Sequence, residues 1–314
     1  MAIVMATAPT TATTFLGCDG PRETERSAPS PGERPTRHAD ALGVYTVSYP
    51  LAYFARRIGG DAVDVSFPAP AGVDPADWSP EPAIVARYQS ADVILLNGAG
   101  YARWTERATL PSAALLDTSA AFVDSLAKND SNLTHRHGPG GPHSHAELAF
   151  TTWLDPRLAV RQAQAVQEAL SQRHPTAAAD MSERMAALRR DLESIDGRLS
   201  SLSAQLRRVG IRYSHPVYQY LDRRYALAGR TVHWEPDEDP GSDEWAAFER
   251  DLKTVPAAVM LWEGPPLAET RERLGRLGVE SVVFATLSNP AAGADYIADM
   301  NAAIDRLAAT IGSR

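Results

Sequence analysis

Along this 314-residue chain, short apolar runs of strand length alternate with stretches of helical period. Val44–Ser48 reads as a strand, Tyr49–Ile58 as a helix closed by Gly59-Gly60, and Ala62–Phe67 as a second strand. Ala91–Leu96, bounded by Asn97-Gly98, is an apolar run suited to a parallel strand buried on both faces, and Ala113–Leu116 is placed as another. Asp155-Pro156 supplies an N-cap and a proline at the first helical position for a helix from Arg157 to about Ser171. Met181, Met185, Leu188, Leu192, Ile195, Leu199, Leu202 and Leu206 then recur at alternating spacings of 4 and 3. They form a narrow apolar seam about 39 Å long at about 1.5 Å per residue. The same spacing fits a dimeric coiled coil, but Gly197, the flanking serines and the scarcity of Glu/Lys pairs at its edges favour an intramolecular connecting helix. After Val209-Gly210 a second set begins, with strands at Ile211–Ser214, Thr231–Trp234, Ala257–Trp262 and Ser281–Ala285. Helices are expected between and after them at Val217–Ala226, Asp243–Lys253, Leu267–Leu277 and Ala294–Ile311.

The implied fold class is α/β: two α/β lobes with central sheets, joined by one long connecting helix, with a ligand cleft between the lobes where loops leave the strand ends. The boundaries expected are an N-terminal lobe at 43–156, a helical connector at 157–208 and a C-terminal lobe at 209–314. A hydrophobic content of 44% is enough for a large core. No stretch approaches the ~18 apolar residues of a membrane span. A net charge of −8 without a basic stripe argues against nucleic acid as a partner, and an acidic surface suits a cation. With no Gly-x-Ser-x-Gly, Walker loop or His-Glu-x-x-His, an enzyme is not expected.

Two local features carry chemistry. His135, His137, His143 and His145 place four of the eight histidines within the His-rich loop 134–147, around a Gly/Pro hinge. Imidazole is a leading ligand for Zn(II) and its neighbours, so this composition points to metal contact. Cys18, the one cysteine, follows an uncharged, mildly apolar segment ending Phe15-Leu16-Gly17. That arrangement looks like a lipoprotein-type signal at 1–18, with lipidation at Cys18 and a Ser/Pro/Glu/Arg-rich tether at 19–42. It places the protein outside the cytoplasm, attached to the membrane through a lipid anchor.

From about residue 43 to 312 the chain resembles the cluster A-I solute-binding proteins of bacterial metal ABC importers, the zinc-binding type in particular. The resemblance rests on Ser48-Tyr49-Pro50-Leu51, Ile58-Gly59-Gly60-Asp61, Pro75-Ala76-Asp77-Trp78-Ser79-Pro80-Glu81-Pro82, Asn97-Gly98-Ala99-Gly100-Tyr101 with Trp104, the His-rich loop before Trp153-Leu154-Asp155-Pro156, Ser214-His215-Pro216-Val217-Tyr218, and Trp262-Glu263-Gly264-Pro265, in that order. It implies a monomeric extracytoplasmic protein that captures Zn(II) and delivers it to an ABC permease. Mn(II), Cu(II) or Ni(II) stay open as cargo, because nitrogen donors alone do not select the ion.

The departures are as informative as the matches. Family members take ligands from a histidine in the Pro-His-Asp segment, one two residues before the Trp-Leu, one in the C-lobe, and a C-lobe carboxylate. Ala76, Thr151 and Asn289 stand at or near three of those positions, and only His215 remains. In one reading the loop folds into the cleft, and His143, His145 and His135 or His137 join His215. In another the loop binds metal alone, the cleft having lost or changed its ligand, and in a third the positional correspondence fails. Glu263, Asp77 and Glu235 are secondary candidates, with His233 beside them. Trp78, Tyr101 and Trp104 are placed at the cleft or in the core. A metallochaperone, a sensor or a non-metal ligand on the same fold is the alternative function.

Overall fold

The structure, a computed structural model, describes residues 40–128, 134–136, 142–144, 148–290 and 293–312. Cys18, His137 and His145 lie outside them.

The first sheet contains β1 (Leu42–Thr46), β2 (Val63–Ser66), β3 (Val93–Leu96) and β4 (Leu115–Asp117), all parallel, in the order β2-β1-β3-β4. Val93, Ile94 and Leu95 are fully buried, as an apolar run sandwiched between helices must be. Helix α1 (Tyr49–Gly59) crosses from β1 to β2, with Pro50 in its first turn. Helices α2 (Pro82–Gln89) and α3 (Trp104–Arg107) flank β3. The loop leaving β3 depends on Gly98: its φ is 75°, and a Cβ there would stand 1.9 Å from the Ser119 hydroxyl and 2.4 Å from Asp117.

Within the His-rich loop, β5 (Thr134–Arg136) and β6 (Pro142–Ser144) pair antiparallel, and His135 lies opposite His143 in the register. Helix α4 (Pro156–Arg173) begins as the sequence requires, with the Asp155 carboxylate accepting the Arg157 backbone N–H at 2.9 Å and Pro156 in the first turn. Helix α5 (Ala178–Val209) runs 32 residues. Its seam is intramolecular: Met181, Met185, Leu188, Leu192, Ile195, Leu199 and Leu206 are buried, and the helix packs on α1, α4 and α9 (Tyr296–Gly312). Burying each such side chain is worth about 1.5–3 kcal/mol.

The second sheet comprises β7 (Ile211–Tyr213), β8 (Arg230–Thr231), β9 (Val259–Trp262) and β10 (Glu280–Val283), again all parallel, in the order β10-β9-β7-β8. Helices α6 (Gln219–Tyr225), α7 (Ser242–Thr254) and α8 (Ala268–Arg276) connect these strands. Read from the edge strand inwards, the two sheets have one topology. Each puts its first strand beside its third, so each has a point where the crossovers leave in opposite directions, and in open α/β sheets ligands bind just beyond such strand ends.

The halves are bonded across by named groups. Trp153, with no exposed surface, donates its indole N–H to the Thr286 carbonyl at 2.6 Å, and the Tyr296 hydroxyl donates to the Trp153 carbonyl at 2.8 Å. Farther along α5, Asp196 accepts from Arg224 at 2.6 Å and from the Tyr225 hydroxyl at 2.9 Å.

Candidate metal site

His215 follows β7 by two residues and Glu263 follows β9 by one, which sets both at the switch point of the second sheet. The His215 Nδ1 stands 3.3 Å from Glu263 Oε1, and Nε2 stands 3.5 Å from Glu235 Oε1. The His233 ring lies edge-on, 6.1 Å away between centroids. All four side chains are part-buried. Burial alone would lower the imidazole pKa; the hydrogen bond and charge of Glu263, then the charges of Glu235 and Asp74, outweigh it and hold His215 above its ordinary value.

Asp74 enters from the first lobe. Its carboxylate accepts the Ala76 backbone N–H at 2.9 Å. Although Asp74 is exposed at the edge of its turn, protein crowding around the carboxyl strips water from it. That desolvation, with the fields of Glu263 and Asp77, pushes its pKa up to about 6 against the opposing pull of the Ala76 N–H and His215. Asp74 was not among the candidates of the sequence analysis; no sequence motif marks it, two positions before Ala76. Asp77, which was nominated, is exposed, and its charge adds to the field at Asp74.

Ala76, Thr151 and Asn289, where the resemblance implies ligands, are built into the fold. Ala76 is 6% exposed. Thr151 is buried and its hydroxyl donates to the Val217 carbonyl at 2.5 Å, tying it to the loop that carries His215. Asn289 donates its amide to the Pro70 and Val73 carbonyls, each at 2.7 Å, and so pins the turn that carries Asp74. Tyr101 and Trp104 belong to the core, stacking edge-on against Trp153 and Tyr88, while Trp78 is half-buried and lines a cavity of about 370 Å³ with Asp77, Arg103 and Arg107.

At the switch point of the first sheet the amide groups are bonded to one another. Asn97 follows β3 and accepts from the Gln162 amide at 3.0 Å while donating to the Phe150 carbonyl at 2.8 Å; Gln162 also donates to Thr118. Buried hydroxyls without a hydrogen-bond partner among the described residues stand at both switch points: Ser48 after β1 and Tyr101 (5% exposed) on the loop leaving β3, and Ser214 (fully buried) after β7. Tyr101 lies in the field of Asp74 and Asp77, which, after burial itself, raises its pKa further. Among the described residues, no three His, Asp or Glu side chains converge on one point as they stand.

Fold and site together define a two-lobed binding protein whose ligand position lies beyond the ends of parallel strands. The chain belongs to the family described as zinc-uptake complex component A, periplasmic, whose model matches residues 44–310. It is 24% identical over 279 residues to the zinc-binding lipoprotein AdcA of Streptococcus pneumoniae, covering 82% of this chain and 54% of the relative. The chain thus spans about half the length of that relative. It is likewise 24% identical over 273 residues to the high-affinity zinc uptake system protein ZnuA of Bacillus subtilis, covering 85% of this chain and 83% of the relative. The fold matches the metal-dependent lipoprotein YcdH of B. subtilis with a TM-score of 0.72 at 21% identity, covering 85% of this chain and 97% of that one. It also matches the Zn(II)-bound ZnuA-like domain of S. pneumoniae AdcA with a TM-score of 0.71 at 22% identity, covering 86% of this chain and 99% of that one.

Proposed function

We propose that this protein is the extracytoplasmic binding component of a metal importer, capturing Zn(II) or a divalent ion of similar demand and delivering it to an ABC permease. The observation that carries the reading is His215 at the switch point of the second sheet with Glu263 3.3 Å from its Nδ1, in a chain of the zinc-uptake family. The relatives named as zinc-binding and zinc-uptake proteins support zinc as the cargo. The ion is carried, not used as a catalyst. His135, His137, His143 and His145 form an accessory donor set, and the backbone register that opposes His135 to His143 brings two of them to one rung of a hairpin. Cys18 bears the lipid anchor, with 19–42 as tether, and 43–156, 157–208 and 209–314 act as lobe, connector and lobe.

Protein purified without a tag is expected to retain or take up Zn(II) in metal analysis and titration; failure to bind any divalent ion overturns the reading. Cys18→Ala is expected to move the protein from the membrane to the soluble fraction. Unchanged fractionation rejects the anchor.

A further inference from the structure

We infer that Tyr220 is a positioning residue for the histidine-rich loop: its hydroxyl ties the root of that loop to α6, five residues after His215, so that the loop histidines and His215 act on the same ion. This rests on the metal-carrier reading and on the accessory role proposed there for the loop.

The root of the loop is a short antiparallel pairing. Lys128 and Leu148 form a bridge, and beside it the Ala149 N–H donates to the Ala127 carbonyl at 2.9 Å. In a hydrogen-bonded antiparallel pair the second bond would run back from the Ala127 N–H to the Ala149 carbonyl. The Tyr220 hydroxyl takes that place: it accepts the Ala127 N–H at 3.2 Å and donates to the Ala149 carbonyl at 2.8 Å. One phenol on α6 therefore holds both strands of the root at once. A buried phenol calls for a single hydrogen-bond partner, so two partners on the two strands of one loop are more than packing requires.

The anchor is itself fixed. Tyr220 has no exposed surface, and its ring packs with Phe122, Ala149 and Leu158. Between His215 and Tyr220 the chain makes a tight turn, with the Val217 N–H donating to the His215 carbonyl at 2.9 Å and the Gln219 amide to the Pro216 carbonyl at 2.7 Å. The buried Tyr218 hydroxyl donates to the Phe284 carbonyl at 2.7 Å, which seats this turn just beyond β10.

Reach makes the tie matter. His143 lies six positions before Ala149, and the register sets His135 opposite it. Extended chain covers at most about 3.3–3.6 Å per residue, so that rung lies within about 20 Å of the root by the shorter strand. The local concentration of a tethered donor is set by the length and anchorage of its tether. A root held to the turn that carries His215 therefore fixes how much loop imidazole His215 meets, and a loosened root dilutes it.

The test is a cycle of four full-length chains: unmodified, Tyr220→Phe, a chain carrying His135→Ser, His137→Ser, His143→Ser and His145→Ser, and that four-serine chain with Tyr220→Phe added. Zn(II) affinity is measured for each in competition against a chromophoric chelator. Tyr220→Phe keeps the ring and removes only the hydroxyl. It is expected to weaken Zn(II) binding about fivefold where the loop histidines are present, the population ratio set by the net worth of one hydrogen bond, and to leave the four-serine chain unchanged. The fall in thermal unfolding temperature of the metal-free chains is expected to be the same in both backgrounds, so a loss of affinity confined to one cannot come from lost fold. Tyr225→Phe, which takes from the same helix a hydroxyl bonded to Asp196, is the control and is expected to leave affinity unchanged. Equal weakening in both backgrounds, no weakening in either, or the same weakening by Tyr225→Phe overturns the inference and leaves Tyr220 a packing residue. A four-serine chain that binds Zn(II) as tightly as the unmodified chain, or not at all, overturns it too, because loop and cleft then share no ion. In each of these cases the carrier reading stands as long as the unmodified chain binds Zn(II). If the unmodified chain takes up no Zn(II), the inference fails, and the carrier reading fails with it if no other divalent ion binds.

Discussion

The two sheets of this protein share a topology and differ in what they place at the switch point. Beyond β1 and β3 stand Ser48 and Asn97, and Asn97 is absorbed into a fully buried amide and hydroxyl network with Thr118, Thr152 and Gln162. Beyond β7 and β9 stand His215 and Glu263, part-buried, close together and bordered by a second glutamate. A buried amide network fixes packing, whereas a part-buried cluster of one imidazole and two carboxylates carries charge. One architecture thus yields a structural pole and a chemical pole, and Thr151 and Asn289 make hydrogen bonds to Val217 and to the Pro70 and Val73 carbonyls.

The largest effect expected is on the joint between the poles. Trp153→Ala removes a fully buried ring and its bond to Thr286, and is expected to cost about 3–5 kcal/mol in denaturant unfolding. A loss below about 1 kcal/mol would mean that the lobes are not held together there.

His215→Ala attacks the chemical pole. Zn(II) affinity is expected to fall by about 10–100-fold, and by more than for His143→Ala, whose role a neighbouring loop imidazole takes over. Equal affinity to the unmodified chain, with loss on His143→Ala, would transfer the site to the hairpin.

Asp196→Asn probes the back of the joint and is expected to cost about 1–3 kcal/mol near neutral pH. Burial opposes ionisation of Asp196, but the hydrogen bonds of Arg224 and Tyr225 and the charges of Arg224 and Arg157 outweigh it, so its pKa is depressed. The contribution is therefore present above the unfolded carboxylate value and is lost as pH falls through the folded one. The difference between the two proteins should be full at about pH 7 and shrink by about pH 3 in urea unfolding. A gap that persists undiminished in acid would rule out the ionic origin.

The smallest effect is expected at Thr151→Val, which keeps the shape and removes the bond to Val217. Stability should drop by about 1 kcal/mol with Zn(II) affinity unchanged. A tenfold fall in affinity would make Thr151 a ligand and erase the contrast between the poles.

Much of this was legible in the chain. Helix α5 followed from the apolar seam, and α4 from Asp155-Pro156, because periodicity and capping are local signals. Helix α2 was not assigned: the sequence pattern placed no element between Phe67 and Ala91, although Pro82 opens this helix in its first turn. Strands β5 and β6 were hidden by the Gly/Pro content between them. At the site, His215 stood out, and Glu263 and Glu235 were nominated as secondary donors. Asp74 was not, because the turn that carries it is held by the Asn289 amide donating to the Pro70 and Val73 carbonyls, contacts more than two hundred residues apart that no local pattern encodes.

Helix α5 has a mechanical consequence. At 32 residues it is a bar about 48 Å long, stiffened by unbroken backbone bonding and by its burial against α1, α4 and α9. A tilt of about one degree moves one end of such a bar about 0.8 Å relative to the other. That is enough to take a hydrogen bond of ordinary length to its limit. Burial of α5 on α1, α4 and α9 along its length is what opposes such leverage.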